Sequence, residues 1–228
     1  MTHPDFVRAT NIADNVDLYE RENEAVDPEG LLWRAIRDEA DWSGRTLLDL
    51  GCGTGFWLPR YSDAARAVGV EPDPDLLRLA ERRGVEAVAG SAENLPFPDD
   101  SFDVVHARFA YFWPPHCEAG RREVLRVLKP GGRLVVIDND HRRGQFAELL
   151  AASPWAEAQG RGEVTDEWWA SRGAARREIL SSWEAATPEE LESILRIEFP
   201  ADVVDDWVAG NPGASRISYG YVLFTTEK

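Results

Sequence analysis

The sequence predicts an α/β fold: a doubly wound, mostly parallel seven-stranded sheet with helices on both faces and an antiparallel final strand. Three observations lead there. Helical and extended segments alternate through the first two-thirds of the 228 residues. The extended segments include short continuous apolar runs such as "RLVVI" (Arg133–Ile137), the pattern of a strand buried on both faces. The stretch "LLDLGCGTGFW" (Leu47–Trp57) turns an apolar run into a glycine-rich loop, the junction at which open α/β sheets hold their ligands.

Each element follows from local chemistry. Asp27-Pro28 reads as an N-cap and first-turn proline, starting a helix that runs to about Ala40 with Leu31, Leu32 and Ile36 apolar. Strand one is Thr46–Leu50, and strand two is Ala65–Val70, ending at Glu71. Asp73-Pro74 caps the next helix and Gly84 stops it. Strand three is Val85–Ala89 and strand four is Phe102–His106. A helix over Ala119–Leu128 is halted by Pro130-Gly131, and strand five follows at Arg133–Ile137. The segment "REILSSWEA" (177–185) alternates as a strand. Thr187 and Glu190 form a capping box for a helix to about Ile197, and "ISYGYVLFT" (217–225) is the last strand. The expected division is residues 1–140 as an N-terminal helical segment plus a cofactor-binding core, 141–186 as a helical substrate cap, and 187–228 as the helix and strand completing the same domain.

Charge narrows the function. The formal net charge of −16, from 41 acids against 25 bases, repels phosphate backbones and anionic membranes, which favours a small-molecule partner over nucleic acid or a membrane. The arginine pairs at 121–122, 142–143 and 176–177 read as solvated faces. The two cysteines, Cys52 and Cys117, make neither a disulfide framework nor a zinc pattern. A polar N-terminus and the absence of a membrane-length apolar run make a cytoplasmic location the expectation. Oligomeric state is not set by the sequence.

Glycine turns after strands commonly serve phosphates, yet this one departs from the dinucleotide pattern G-x-G-x-x-G. Its third glycine comes one residue early, in Gly51-Cys52-Gly53-Thr54-Gly55, and the acid Asp49 stands before the turn. A carboxylate there repels a pyrophosphate and attracts a cationic amino group. Glu71, at the end of strand two, is placed to accept hydrogen bonds from both hydroxyls of a ribose. A ribose and a cation without a phosphate describe S-adenosyl-L-methionine. A nicotinamide-dependent oxidoreductase on a similar sheet and a non-catalytic S-adenosylmethionine-binding protein are the alternatives.

Four ordered stretches carry a resemblance: "LLDLGCGTGFW" (47–57), "GVEPDPDLL" (69–77), "GSAENLPFPDDSFDVVHARFAYFW" (90–113) and "LRVLKPGGRLVVID" (125–138). The chain resembles the class I S-adenosylmethionine-dependent methyltransferases, in particular the small-molecule subgroup that includes quinone-biosynthesis C-methyltransferases. The match is firm over residues 28–140 and loose beyond. The resemblance implies a Rossmann-like fold, S-adenosyl-L-homocysteine as product, and transfer of a methyl group to an O, N or C nucleophile of a small molecule. It implies that Asp49, Gly51, Cys52, Gly53 and Gly55 line the methionine moiety, that Glu71 holds the ribose diol, and that Pro72 lies against the adenine. Ser91, Ala92 and Glu93 fall at the adenine edge, where many relatives have an aspartate in place of Ser91. Arg108 falls near the sulfonium, and Tyr19 matches a tyrosine that closes over the cofactor.

For the chemistry itself, His106 and His141, near the carboxyl ends of strands four and five, are the candidate general bases. Trp113, Asn139 and Trp168 are candidate substrate contacts, with Trp155, Trp169 and Trp183 also in the cap region. "DNDH" (138–141) resembles the metal-binding position of catechol-type enzymes. The position after strand four offers His106 and Arg108 instead of a carboxylate, so no metal is expected. "HARFAYF" after strand four is not the Asn/Asp-Pro-Pro-aromatic motif of DNA amino-methylating enzymes.

Overall fold

The computed structural model describes residues 8–154 and 161–228. His3 and Trp155 lie outside the described residues. The N-terminal part holds helices α1 (Thr10–Ala13), α2 (Val16–Ala25) and α3 (Leu31–Glu39). The alternating core follows as β1 (Thr46–Leu50), β2 (Arg66–Glu71), α4 (Pro74–Arg83), β3 (Ala87–Ala89), β4 (Phe102–Arg108), α5 (Glu118–Val127) and β5 (Leu128–Asn139), with a 3-10 turn at Leu58–Tyr61. Helices α6 (Gln145–Ala152) and α7 (Arg161–Ala170), strand β6 (Ala175–Glu184), helices α8 (Pro188–Glu198) and α9 (Ala201–Gly210), and strand β7 (Arg216–Glu227) complete it.

The seven strands form one sheet in the order β3-β2-β1-β4-β5-β7-β6. β1 to β5 are parallel, and β7 runs antiparallel between β5 and β6. The strand order reverses between β1 and β4, the switch point outside whose carboxyl ends such sheets bind ligands.

Strand periodicity sorts the side chains into two layers. Leu47, Val104, Val135 and Ile137 face Ala35 and Ile36 of α3, Phe146 of α6, and Leu191 and Ile194 of α8. Leu48, Val105, Leu134, Val136 and Phe224 face Val124 and Val127 of α5 and Trp168 and Trp169 of α7. Asp49, His106 and Arg108 share the period of Leu47 and Val104, so they fall on the first layer's face, at or next to the strands' carboxyl ends.

The capping chemistry acts as predicted at two helices. Asp73 accepts from Asp75 N at the start of α4, and Gly84 ends that helix at φ 78°. Thr187 accepts from Glu190 N, and the Glu190 carboxylate accepts from Ala186 N at 2.8 Å.

Three expectations are corrected. Gly30, not Asp27, occupies the N-cap of α3; Asp27 still caps it from a distance, accepting from Leu32 N and Trp33 N, both at 3.1 Å. The helix expected to Leu128 ends at Val127, but strand five starts at Leu128 rather than Arg133, because Leu128 already pairs with Phe102 on β4. The 141–186 segment expected as a cap contributes β6 to the sheet itself.

Candidate active site

The glycine turn is built around Glu71. Gly51 and Gly53 have φ of +73° and +56°, a region that L side chains rarely occupy. Gly51 has a second constraint: a Cβ there would lie 2.5 Å from Ala110 Cβ, so the loop after β4 closes directly on the turn. Glu71 is 5% exposed, and its carboxylate accepts from Gly53 N at 2.8 Å and from Asp73 N at 2.9 Å. One side chain thus pins the turn to the start of α4. Each carboxylate oxygen keeps a second lone pair for a ligand hydroxyl. Burial raises the Glu71 carboxyl to about 7, against the bonds from Asp73 N and Gly53 N that favour its ionised form.

Asp49 is 2% exposed and its Oδ2 has no partner. Burial lifts its carboxyl to about 6, and Arg108 opposes that rise. A buried oxygen without a donor costs free energy unless a ligand supplies one. Ser91 Oγ, at the end of the β3 connection, is likewise buried and unpartnered. Pro72 follows directly on β2, and the Tyr111 hydroxyl accepts from Gly120 N at 2.9 Å.

The N-terminal helices cover this edge. The Tyr19 hydroxyl lies 3.6 Å from where a Cβ on Gly53 would stand. Glu20 accepts from the Thr54 hydroxyl and pairs with Arg83, and Asn23 accepts from Trp57 Nε1 at 2.6 Å. Arg8 donates to Asp73 at 3.2 Å. The Arg108 guanidinium stacks on Trp57 at 4.3 Å and makes no hydrogen bond or ion pair among the described residues.

Other predicted residues fall elsewhere. His106 is 1% exposed, with Nδ1 3.2 Å from the Tyr61 hydroxyl and its ring edge-on to Trp42. Burial, helped by Arg108, depresses it to about 3. A ring held neutral in an aromatic core is a poor proton acceptor, which corrects its expected role as base. Trp168 is 9% exposed in the α5–α7 layer, with Arg172 3.7 Å over its ring and Trp169 edge-on beside it, so it is core rather than pocket. Trp183 is core as well, stacked on Tyr219. Trp113 is 56% exposed beyond β4. His141 packs against the first turn of α7 at Gly162. The Asn139 side-chain carbonyl is occupied by the Tyr219 hydroxyl. Cys52 is packed against Gly69, and burial pushes its thiol up, which fits a filler and not a nucleophile.

Sequence reasoning did not reach Glu22, Glu198 and Tyr219. Glu22 stands on α2 one turn after Tyr19, where burial first, and the neighbouring Glu198 at the end of α8 second, hold its carboxyl well above the usual carboxylate range. The one local sign was an acid beside Asn23 on a helix face that also carries the buried Ala25.

The fit to a nucleoside ligand rests on the chain's own atoms: the unpartnered Asp49 Oδ2 suits an ammonium, and the clasped Glu71 suits a diol. An α/β core with an early third glycine, a preceding acid and an acid closing β2 fits a nucleoside better than a pyrophosphate. Residues 47–132 match the family described as a methyltransferase domain. That segment, which holds the glycine turn and Glu71, is what the chain shares with methyltransferase domains. The chain is 34% identical over 123 residues to a demethylmenaquinone methyltransferase of Lactococcus lactis, covering 48% of this chain and 49% of that protein. It is 40% identical over 132 residues to a phthiotriol/phenolphthiotriol dimycocerosates methyltransferase of Mycobacterium ulcerans, covering 54% and 49%. The matched segments thus span about half the length of these curated relatives. The crystal structure of YcgJ from Bacillus subtilis shares the fold, with a TM-score of 0.57 at 22% identity over 88% of this chain and 98% of that one. Among the described residues no helix is long and apolar enough to cross a membrane, and no three His, Cys, Asp or Glu side chains group as a metal site.

Proposed function

We propose that this chain transfers the methyl group of S-adenosylmethionine to an O, N or C nucleophile of a small molecule. The observation that carries this reading is the pairing of a buried, unpartnered Asp49 with a Glu71 that clasps the glycine turn. When bound, the cofactor supplies a methyl group already activated on a sulfonium. The protein's part is to bind, orient and exclude water. Asp49 receives the ammonium, Glu71 the ribose diol, and Ser91 with Ala92 the adenine edge, beside Pro72. Tyr19 and α2 close over the turn. The relatives' names fit an aromatic or lipid-like acceptor, and the formal charge of −16 disfavours a nucleic acid.

Calorimetric titration with S-adenosylmethionine, S-adenosylhomocysteine and NADH tests the reading. Micromolar binding of the two sulfur nucleosides, lost in Glu71→Ala, is the expected result. Binding of NADH alone would return the site to dinucleotide chemistry.

A further inference from the structure

The carboxyl ends of β1 and β4 carry three side chains on one face, each with polar atoms that no described residue satisfies. Asp49 on β1 stands opposite His106 on β4, and Arg108 closes β4 two residues further along, on the same face. At about 3.3 Å per residue, the Arg108 Cα lies about 7 Å beyond that of His106. Asp49 Oδ2 and His106 Nε2 are both without a partner, in side chains 2% and 1% exposed. The Arg108 guanidinium makes no hydrogen bond or ion pair among the described residues. A cation and a buried acid this near, and not bridged to each other, both lack partners until a ligand comes between them.

Arg108 is also held in place. Its guanidinium lies 4.3 Å from the centre of the Trp57 ring. Trp57 is itself 2% exposed and is fixed by the bond from its Nε1 to Asn23 Oδ1 at 2.6 Å. Stacking uses the face of a guanidinium and leaves the N–H donors at its edge, in the fork that matches a carboxylate. Arg60 lies 4.5 Å from the centre of the same ring, but it is exposed and water serves its donors, whereas Arg108 is half-buried. The partner that fits is singly charged, because a phosphate would set more negative charge against the neighbouring Asp49.

We infer that Arg108, held by Trp57, binds a carboxylate of a ligand at this edge. Two sources supply that chemistry: the amino-acid end of the cofactor, whose ammonium Asp49 receives, and an acid group on the methyl acceptor beside it. The inference deepens the function proposed above and rests on it for the cofactor source. In either case the edge N–H groups of Arg108 donate to the two carboxylate oxygens. The carboxylate also offsets a guanidinium charge that would otherwise oppose the sulfonium.

The test is calorimetry on the wild type and on Arg108→Met, which keeps an unbranched stem on Trp57. The ligands are S-adenosylhomocysteine and its decarboxylated analogue, then benzoate and benzyl alcohol titrated into protein saturated with S-adenosylhomocysteine. If the cofactor supplies the carboxylate, the wild type binds S-adenosylhomocysteine at least about tenfold tighter than the analogue, and Arg108→Met brings the two within about twofold. If the acceptor supplies it, that preference is absent, and benzoate binds at least about tenfold tighter than benzyl alcohol to the wild type but not to Arg108→Met. A smaller preference in both wild-type comparisons overturns the inference with no variant needed, and so does a preference that Arg108→Met keeps. Arg108→Gln, whose planar amide still stacks on Trp57, replaces Arg108→Met if the thermal midpoint of the latter falls by more than about 5 °C. Failure of both adenosyl ligands to bind would strike the methyltransferase reading instead, and benzoate against benzyl alcohol on the protein alone still decides Arg108.

Discussion

Cofactor affinity should fall steeply as pH is lowered, and the structure sets by how much. Glu71 and Asp49 are buried acids raised to about 7 and about 6. A ribose diol donates to an ionised Glu71, and an ammonium pairs with an ionised Asp49, so binding selects the doubly ionised form. At about pH 8 nearly all of both groups is ionised, whereas at about pH 5 roughly 1% of Glu71 and 10% of Asp49 is, so the apparent Kd should weaken about a thousandfold between them. Calorimetry of S-adenosylhomocysteine binding across this range, in two buffers of different ionisation enthalpy, reads both the affinity and the protons released. Release should approach two protons at the acid end and fall towards none at the alkaline end. Glu71→Gln should leave only the Asp49 share, about tenfold over the same range. A flat profile, or proton uptake on binding, would refute the assignment of these carboxylates to the ligand.

Other outcomes follow from the same coordinates. Asp49→Asn should stabilise the free protein and weaken S-adenosylhomocysteine at least about tenfold. Because the Asp49 carboxyl rises from 3.8 to about 6 on folding, its cost is absent below the lower value and complete above the higher one. The gain should therefore reach up to about 3 kcal/mol near pH 8 and vanish near pH 4, as urea titrations at the two pH values would show. Gly51→Ala meets Ala110 Cβ at 2.5 Å from a backbone at φ +73°. It should cost about 2–5 kcal/mol, and a thermal midpoint within about 2 °C of wild type would count against the closed turn. Asn23→Ala removes the partner of the buried Trp57 indole and should cost about 1–3 kcal/mol by urea unfolding. Thr187→Ala should cost about 1 kcal/mol, the worth of one side-chain N-cap, in the same assay.

Local chemistry was legible wherever a residue acts on its own neighbours. Asp73-Pro74 and Gly84 bound α4, Thr187 and Glu190 start α8, and the apolar run at Thr46–Leu50 is β1 residue for residue. The place of Trp168 is not legible for the opposite reason. Trp168 lies after the parallel core, in the expected cap, but whether a large aromatic faces a pocket or a sheet depends on where its helix docks. Here α7 docks on the α5 face, and Trp169 stacks on Phe224 of a strand more than fifty residues away in sequence. His106 was misjudged similarly: its place near a strand end is readable, but the burial by Trp42 and Tyr61 that fixes it neutral is not.

By itself, then, the sequence determined the parallel core, the glycine turn and the candidate nucleoside site, because the spacing from Asp49 through Gly55 to Glu71 lies within one β-turn-β unit and needs no distant partner. Only the tertiary structure decided what stands opposite that site. Glu22 and Glu198 are separated by most of the chain and come near one another because α2 packs on α8, and burial there holds both carboxyls above the usual carboxylate range.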